Sequence, residues 1–263
     1  MTLAIIQARM SSTRLPGKVL KEISGKPMLF YCLYRLKESK TLDKIVVATS
    51  DHKDDDVIEE YCRAENIEVY RGSLEDVLSR YVNCAKKYPE YDTIVRVTAD
   101  CPLIDPKVVD KVVSVFLKEK VDYVSNVLKE TFPDGIDAEV FTRESLLLSD
   151  EEAKLHSERE HVTLYIRNNL KFKKLNVEND TDMSRYRLTV DNPEDFEVIS
   201  FLIENYGPNL SFEEYCKHLD EHPEVMDKNS KIERNAGLKK SLKEDLAFNS
   251  KIKNQKSKFK FKI

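Results

Sequence analysis

The sequence predicts an α/β fold with a mostly parallel sheet and helices on both of its faces. Apolar runs at residues 3–6 and 44–49 are continuous rather than alternating, which is typical of strands buried on both faces, and residues 93–98 are a further predicted strand. Segments of helical periodicity follow these runs, and this alternation indicates βαβ units. The 263 residues, 41% hydrophobic and 34% charged, suit a water-soluble globular protein with a substantial core.

The first half of the chain alternates regularly between strands and helices. Acidic residues 54–56 suit the start of the second helix, and Pro106 suits a first helical turn. The predicted strands are residues 3–6, 44–49, 68–70 and 93–98, and the predicted helices are residues 28–37, 54–64, 74–87 and 106–119.

The second half has shorter elements and a change of composition at its end. Predicted strands are residues 123–126, 138–141, 172–176 and 187–190, and predicted helices are residues 157–168, 194–205 and 211–221. We interpret residues 1–245 as one domain with a small inserted, substrate-side lobe at about residues 125–185. Residues 251–263 contain six lysines and no acid, so a basic, disordered tail is predicted for residues 246–263.

Charge and cysteine content exclude several classes of protein. A net charge of −4 argues against general nucleic-acid binding, and no apolar stretch approaches the roughly 18 residues of a membrane span. The short N-terminal apolar run is not a signal peptide, so we expect a cytoplasmic protein. The five cysteines are odd in number and form no C-x-x-C pair, which predicts reduced thiols rather than disulfides or a zinc site.

The cationic loop, defined as residues 7–18, carries the clearest chemical signal. It contains Arg9, Arg14 and Lys18, three adjacent hydroxyl residues and a Pro-Gly turn, directly after the first strand. Ligands of open α/β sheets bind at the carboxyl ends of strands, and such a loop suits a nucleoside triphosphate. The two common Gly-rich phosphate motifs are absent, so side chains must hold the phosphates. The alternative is an ordinary solvated surface loop.

The segment AIIQARMSSTRLPGKVL resembles the opening of the CMP-sugar synthetases, including the CMP-3-deoxy-manno-octulosonate synthetases. It is closer still to the cytidylyltransferases of spore-coat polysaccharide biosynthesis, which share Gln7. The segments VRVTADCPLIDP, DGIDAEVF, EREHVT and RLTVDNPEDF extend the resemblance over roughly residues 3–240. The resemblance implies a Rossmann-like, nucleotide-diphospho-sugar transferase-like fold, a homodimer, and the substrates CTP and a small-molecule acceptor.

The resemblance also implies a nucleotide site in the cationic loop. Arg9 and Lys18 would be the catalytic cations that stabilise charge on the leaving pyrophosphate. Arg80, in the helix after residues 71–73, would contact the nucleobase or a phosphate; alternatively it is an exposed helical arginine. The residues expected to bind the nucleotide are Gln7, Ala8, Arg9, Ser12, Thr13, Arg14, Lys18 and Arg80.

Two aspartates are candidates for a metal site. Asp100 ends the strand at residues 93–98, and Asp191 follows the predicted strand at residues 187–190. Mg²⁺ usually takes one or two carboxylates together with phosphate oxygens and water. Asp100 could instead be a turn carboxylate, and Asp191 a helix N-cap. The resemblance implies that both bind the divalent metal, although Ala99 stands where the family usually has glycine.

Four residues of the predicted lobe are candidates for binding the acceptor, namely Asp137, Glu139, Glu160 and His161. They could instead be solvated charges or part of a dimer contact. The resemblance implies that an acceptor oxygen attacks the α-phosphorus of CTP and that pyrophosphate leaves. Two alternatives remain open: a nucleotide-sugar enzyme with another base or a glycosyl transfer, and a non-catalytic nucleotide-binding module.

Overall fold

The computed structural model describes residues 1–260, with side chains given for residues 1–248 and 250. The strands described are β1 (Thr2–Gln7), β2 (Glu22–Ile23), β3 (Lys26–Pro27), β4 (Lys44–Ser50), β5 (Glu68–Gly72), β6 (Thr93–Thr98), β7 (Tyr123–Ser125), β8 (Glu139–Thr142) and β9 (Lys174–Asn176). The helices are α1 (Met28–Leu36), α2 (Asp56–Ala64), α3 (Val77–Lys87), α4 (Pro106–Glu119), α5 (Arg143–Glu152), α6 (His156–Glu160), α7 (Leu164–Asn168), α8 (Pro193–Tyr206), α9 (Phe212–Glu221), α10 (Pro223–Met226) and α11 (Ala236–Lys260).

One seven-stranded sheet organises the molecule, with the strand order β5-β4-β1-β6-β8-β7-β9. Strand β8 runs antiparallel to both of its neighbours, while the other pairs are parallel. Strand β1 lies inside the sheet, between β4 and β6, which explains its continuous apolar sequence. The predicted α/β fold with a mostly parallel sheet is therefore confirmed.

Two apolar cores cover the two faces of this sheet. Alternate residues of β1 point to opposite faces, so Ala4 and Ile6 enter one core while Leu3 and Ile5 enter the other. The first core packs the sheet against α1, α4, α8 and α9, and the second against α3 and α5. Because β1 and β6 are parallel neighbours, their carboxyl ends lie side by side at one edge of the sheet. Helices pack on both faces of the sheet at this point.

Two predicted elements differ from the structure, and helix α5 has no predicted counterpart. Residues 187–190 are not a strand, because their backbone groups bond to separate places: Leu188 N donates to Asp134 O and Val190 N donates to Asp100 O. The helix predicted at residues 157–168 is divided into α6 and α7, with Val162 between them in the left-handed region at φ 55°. Helix α5 was not predicted; Thr142 caps its first turn by accepting from Ser145 N at 3.0 Å.

The predicted inserted lobe and the predicted C-terminal tail both contain regular structure. Residues 125–185, predicted as an inserted lobe, supply β8 and β9 to the main sheet in addition to helices α5, α6 and α7. Residues 246–260, predicted as disordered, continue helix α11, whose residues are mostly good helix formers such as lysine and leucine. The rest of the predicted tail, residues 261–263, lies outside the described residues. Among the helices described, none has the length and apolar character that crossing a membrane requires.

Candidate active site

The cationic loop is folded back on itself at the end of β1. The carbonyl oxygen of Met10 accepts from Ser12 N at 2.8 Å and from Gly17 N at 3.0 Å. Gly17 adopts φ +70°, a left-handed conformation that side chains disfavour, and it directs the following Lys18 inwards. Buried Asp55 fixes the other side of the loop by accepting from Met10 N at 2.7 Å. The acidic stretch at residues 54–56 therefore does more than start a helix.

Lys18 joins the two aspartates that the sequence singled out. Its ammonium group lies 2.9 Å from Asp100 Oδ2, 2.9 Å from Asp191 Oδ1 and 2.7 Å from the Val190 carbonyl oxygen. An ammonium group has three N–H donors, so these three acceptors satisfy it. Lys18 thus binds carboxylates here, and contact with a phosphate would require it to give up one of these bonds.

The charges in this cluster stabilise one another. Burial alone would lower the pKa of Lys18, but Asp100 and Asp191 raise it above its ordinary value. Burial would raise the pKa of Asp100, yet the nearby Lys18 charge and hydrogen bonds lower it to about 2. Asp100 is therefore ionised and Lys18 protonated at neutral pH.

Asp191 reaches the cluster through contacts made by residues distant in sequence. Its Oδ1 also receives a salt bridge from Arg14 at 2.9 Å, and its Oδ2 lies 3.1 Å from Arg187 Nη2. Arg187 is held in turn by fully buried Asp195, at 2.8 Å from its Nε. The residue that caps helix α8 is Asn192, not Asp191. The carboxylate of Asp191 therefore belongs to the charged cluster rather than to the cap of α8.

The crossing of two backbone segments beneath Asp191 depends on a glycine. Gly135 has φ +100°, and a Cβ atom there would lie 2.4 Å from Thr189 N and 2.5 Å from the Leu188 carbonyl carbon. A side chain would push the segment before Asp191 away from Asp100. The turn at Asp134-Gly135 thus positions a metal candidate as well as the acceptor candidates that follow it.

The two aspartates fit a divalent cation bound jointly with phosphates. Asp100 and Asp191 converge on one positive charge, the Lys18 ammonium, at 2.9 Å each. Within the described residues, no group of three or more histidines, cysteines or acids forms a complete protein cage for a metal. Two carboxylates that need phosphate oxygens and water to complete the shell are what Mg²⁺ commonly uses.

A cavity of about 530 Å³ opens between the cationic loop, the aspartates and helix α11. Arg9, Ser12, Thr13, Arg14 and Lys18 line it. In the part of the chain that the structure describes, no carboxylate lies within salt-bridge distance of Arg9, which leaves this cation for a ligand.

Three other predicted nucleotide residues differ in their environments. Gln7 lines the cavity, and its buried Oε1 has no hydrogen-bond partner among the described residues. Ala8 is 2% exposed, and its N–H donates to Ala48 O at 3.2 Å within the sheet. Arg80 is fully buried rather than exposed, and burial lowers its pKa, with a further contribution from the charge of Arg9. Arg80 does not line the cavity, so its contact with a nucleotide stays a prediction.

A second cavity of about 270 Å³ adjoins the first and contains the acceptor candidates Asp137, Glu139, Glu160 and His161. Glu139 is 3% exposed, pairs with Arg96 across the sheet, and accepts from Tyr123 Oη at 2.5 Å. It also accepts from the Thr163 hydroxyl. Direct binding of an acceptor by Glu139 would break one of these bonds, so the geometry favours Glu139 as the anchor of Arg96.

The other acceptor candidates are connected to the C-terminal part of the chain. Asp137 accepts from Arg234 Nη2 at 2.7 Å, and burial raises its pKa to about 7 despite that arginine. His161 Nε2 lies 3.1 Å from Ser241 Oγ, which donates to Glu160. The pKa of His161 is lowered to about 4, chiefly by burial; the charges of Arg96 and Arg167 also lower it, while those of Glu160 and Glu139 act in the opposite direction. His161 is therefore neutral at pH 7.

Sequence reasoning missed three of the arginines that line this second cavity, namely Arg96, Arg167 and Arg234. Arg96 lies inside a strand, Arg167 inside a short helix and Arg234 far downstream, so no local pattern connects them. A signal was available only for Arg96, an isolated charge in the otherwise uncharged run TIVRVT. Such a charge in a buried strand requires a partner, which here is Glu139.

Comparison with known proteins shows the family of this chain. The family model described as cytidylyltransferase matches residues 3–243. The chain belongs to the cytidylyltransferase family. It is similar to the spore coat polysaccharide biosynthesis protein SpsF of Bacillus subtilis, with 36% identity over 233 residues that cover 85% of this chain and 95% of that protein.

Solved structures agree with the family assignment. A cytidylyltransferase of Leptospira borgpetersenii matches with a TM-score of 0.83 and 37% identity, covering 89% of this chain and 99% of that one. A CMP-2-keto-3-deoxy-manno-octonic acid synthetase solved with CTP matches with a TM-score of 0.60 and 19% identity, over 77% of this chain and 98% of that one. The latter shows the shared fold alone. This cytidylyltransferase is therefore a nucleotidyltransferase enzyme, and the family predicted from its motifs is confirmed.

Proposed function

We propose that this cytidylyltransferase transfers CMP from CTP to a sugar acid or a phosphorylated small molecule, with release of pyrophosphate, in the biosynthesis of a surface polysaccharide or other glycan. The observation that carries the proposal is the convergence of Asp100, Asp191 and Lys18 beside a cavity into which Arg9 projects without a carboxylate partner among the described residues. Similarity to a spore coat polysaccharide biosynthesis protein supports the assignment to a glycan pathway.

The reaction requires alignment and charge neutralisation more than covalent help from the protein. An acceptor oxygen forms the new bond to the α-phosphorus, and the bond from that phosphorus to the oxygen that bridges the α- and β-phosphates breaks, so that pyrophosphate leaves. A hydroxyl acceptor gives up its proton to solvent, whereas an ionised phosphate acceptor has no proton to lose. Arg9 neutralises phosphate charge, and the hydroxyls of Ser12 and Thr13 contact phosphate oxygens in the same cavity. Lys18 holds Asp100 and Asp191 in place for the metal.

Mg²⁺ is the cofactor that this donor set fits. Asp100 and Asp191 would hold it, and when bound it supplies positive charge to the phosphate groups. The low pKa of Asp100 keeps that carboxylate ionised and able to bind metal throughout the neutral range.

The cavity that holds the acceptor candidates favours an anionic acceptor. Arg96 is paired with Glu139 and Arg234 with Asp137, but no carboxylate lies within salt-bridge distance of Arg167 in the described part of the chain. A guanidinium in this position suits a carboxylate or phosphate group. Asp137 and His161 line the same cavity and could bind acceptor hydroxyls.

We also propose a homodimer formed through residues 125–185. Leu128, Leu170 and Leu175 in this segment are 39%, 96% and 37% exposed, and β9 is an edge strand. Sedimentation velocity should show a dimer that the double variant Leu170→Lys/Leu175→Lys dissociates. Leu117→Lys, at a residue 54% exposed on α4, serves as the control and should remain dimeric. A monomeric unmodified protein would contradict the dimer proposal.

The experiment that tests the function is a matrix of four nucleoside triphosphates against sugar acids and sugar phosphates, measured by release of pyrophosphate. We expect turnover with CTP and Mg²⁺ and one class of acceptor. Turnover with another nucleotide would contradict the choice of base. Nucleotide binding without pyrophosphate release for any acceptor would instead favour a binding module.

A further inference from the structure

Helix α11 forms a wall of the candidate active site, although no sequence motif assigned it a role. Residues 237, 240, 241 and 244 recur at the spacing that places side chains on one face of a helix. Each of these four lines the cavity opposite the cationic loop: Gly237, Lys240, Ser241 and Glu244. The face of α11 turned towards the nucleotide cavity therefore carries one positive charge, on Lys240, and one negative charge, on Glu244.

Buried polar contacts hold the helix against the site. Ser241, 3% exposed, donates to Glu160, and Asp245, 6% exposed, accepts from Ser157 N at 3.4 Å. Just before the helix, Arg234 donates to Asp137 at 2.7 Å and to the carbonyl oxygen of Phe132 at 3.1 Å. These contacts reach α6 and the turn after Gly135, so the first turns of α11 are fixed relative to the cavity.

Lys240 is only weakly engaged by the protein. Its nearest carboxylate is Glu244, at 3.9 Å, and the two side chains are 76% and 52% exposed. Exposed ion pairs of this kind contribute little to stability, so the ammonium is available to a ligand of higher charge. The cavity it lines also contains Arg9, and the charge on a triphosphate exceeds what a single arginine can neutralise.

We propose that Lys240 binds the phosphate groups of the nucleotide and of the pyrophosphate product, and that Glu244 weakens this binding by competing for the same ammonium. The proposal deepens the proposed function, on which it rests. It adds a cation from the C-terminal helix to those of the N-terminal loop. Loss of the Lys240 charge should therefore weaken phosphate binding, whereas loss of the Glu244 charge should strengthen it.

Calorimetric titration of the full chain with Mg-pyrophosphate and with CTP tests this. Lys240→Gln should raise the Kd for both probes by about five- to tenfold, the range for an incompletely buried charge-assisted contact. Glu244→Gln should lower both Kd values. The matched control is Lys239→Gln, which removes an equal charge and an ion pair to Glu233 on the opposite side of the helix. Its Kd values should stay within about twofold of those of the unmodified protein.

The titration results distinguish failure of the Lys240 proposal from failure of the proposed function. Equal Kd values for Lys240→Gln and Lys239→Gln, with normal CTP binding by the unmodified protein, would overturn the role of Lys240 and leave the proposed function intact. Weaker binding in Glu244→Gln would also overturn it. Failure of the unmodified protein to bind either probe would contradict the proposed function as well. Lys240→Arg, which keeps the charge, should bind both probes nearly as tightly as the unmodified protein.

Discussion

At the scale of residues, the three cations of the loop have different environments despite their similar chemistry. Lys18 is buried and satisfied by two carboxylates and a carbonyl oxygen, while Arg14 pairs with Asp191 at 2.9 Å. Arg9 lines the cavity without a carboxylate partner in the described part of the chain. Loss of Lys18 or Arg14 would therefore disturb the metal candidates, whereas loss of Arg9 should report on the phosphates directly.

Arg9→Ala should lower turnover by at least about a thousandfold, because a cation that stabilises phosphoryl-transfer charge contributes about 10³–10⁵ in rate. The fold should persist, since the side chain makes no ion pair among the described residues. Pyrophosphate release measures the rate, and thermal unfolding checks the fold. Arg63→Ala, which removes an exposed arginine paired with Glu59 on α2, is the control. Turnover of Arg9→Ala near that of the control would rule out the role of Arg9.

Asp100→Asn should raise the Mg²⁺ concentration needed for half-maximal activity by at least about tenfold. Loss of a residue that only hydrogen-bonds to a metal ligand already weakens metal binding by about 10- to 100-fold, and loss of a ligand should cost at least as much. The change keeps the shape of the side chain but removes the charge that Lys18 and the metal share. Asp182→Asn removes an exposed carboxylate and should leave the metal requirement unchanged. An unaltered Mg²⁺ dependence in Asp100→Asn would exclude Asp100 from the metal site.

At the scale of elements, the site depends on where backbone segments cross rather than on strand ends alone. Residues 187–190 look like a strand because Leu188 and Val190 are apolar and Thr189 and Val190 are β-branched, but the segment bridges two other segments. Leu188 N donates to Asp134 O and Val190 N to Asp100 O. Asp191 is thereby brought beside Asp100 without belonging to the sheet.

Gly135→Ala should lower the free energy of unfolding by more than about 3 kcal/mol, because left-handed backbone strain adds to a steric clash. The added Cβ would lie 2.4 Å from Thr189 N. The control is Gly25→Ala, also at positive φ but with no atom within 4 Å, which should lose only about 1–2 kcal/mol. Urea unfolding compares the two variants. Equal losses would contradict the requirement for close backbone approach at Gly135.

At the scale of the whole molecule, two partly buried groups make the stability respond to pH in opposite directions. The pKa of Asp137 is raised to about 7, so between about pH 4 and 7 the folded protein keeps a proton that the unfolded chain has lost. Its contribution to stability therefore falls as pH rises. The pKa of His161 is lowered to about 4, so its contribution rises with pH from about 4 to 6.5.

Single variants should separate these two contributions. Asp137→Asn leaves His161 in place, so the urea midpoint should increase between pH 4.5 and 6.5. His161→Asn leaves Asp137, so its urea midpoint should decrease over the same range. The unmodified protein, in which the two effects oppose each other, should show the flattest profile. Parallel pH profiles for the two variants would contradict these pKa shifts.

The parts of this protein that its sequence determined are those set by local signals. Each of these signals acts within about ten residues. They are the apolar residues of β1 and β6, Pro106 at the start of α4, and the cluster of cations in residues 7–18. Such signals located the sheet, the cationic loop and Asp100. Asp191 was a candidate from its place after the predicted strand at residues 187–190, and the family motifs implied the same metal role for both aspartates.

The tertiary structure alone decided which distant residues meet. Lys18 bonds to Asp100 and Asp191 across separations of 82 and 173 residues, and Arg234 reaches Asp137 across 97. Placement of α11 over the cavity, the burial of Arg80 and the crossing at Gly135 follow from the packing of segments that share no sequence pattern. Their positions are set by buried hydrogen bonds and steric fit between elements, which exist only once the chain has folded.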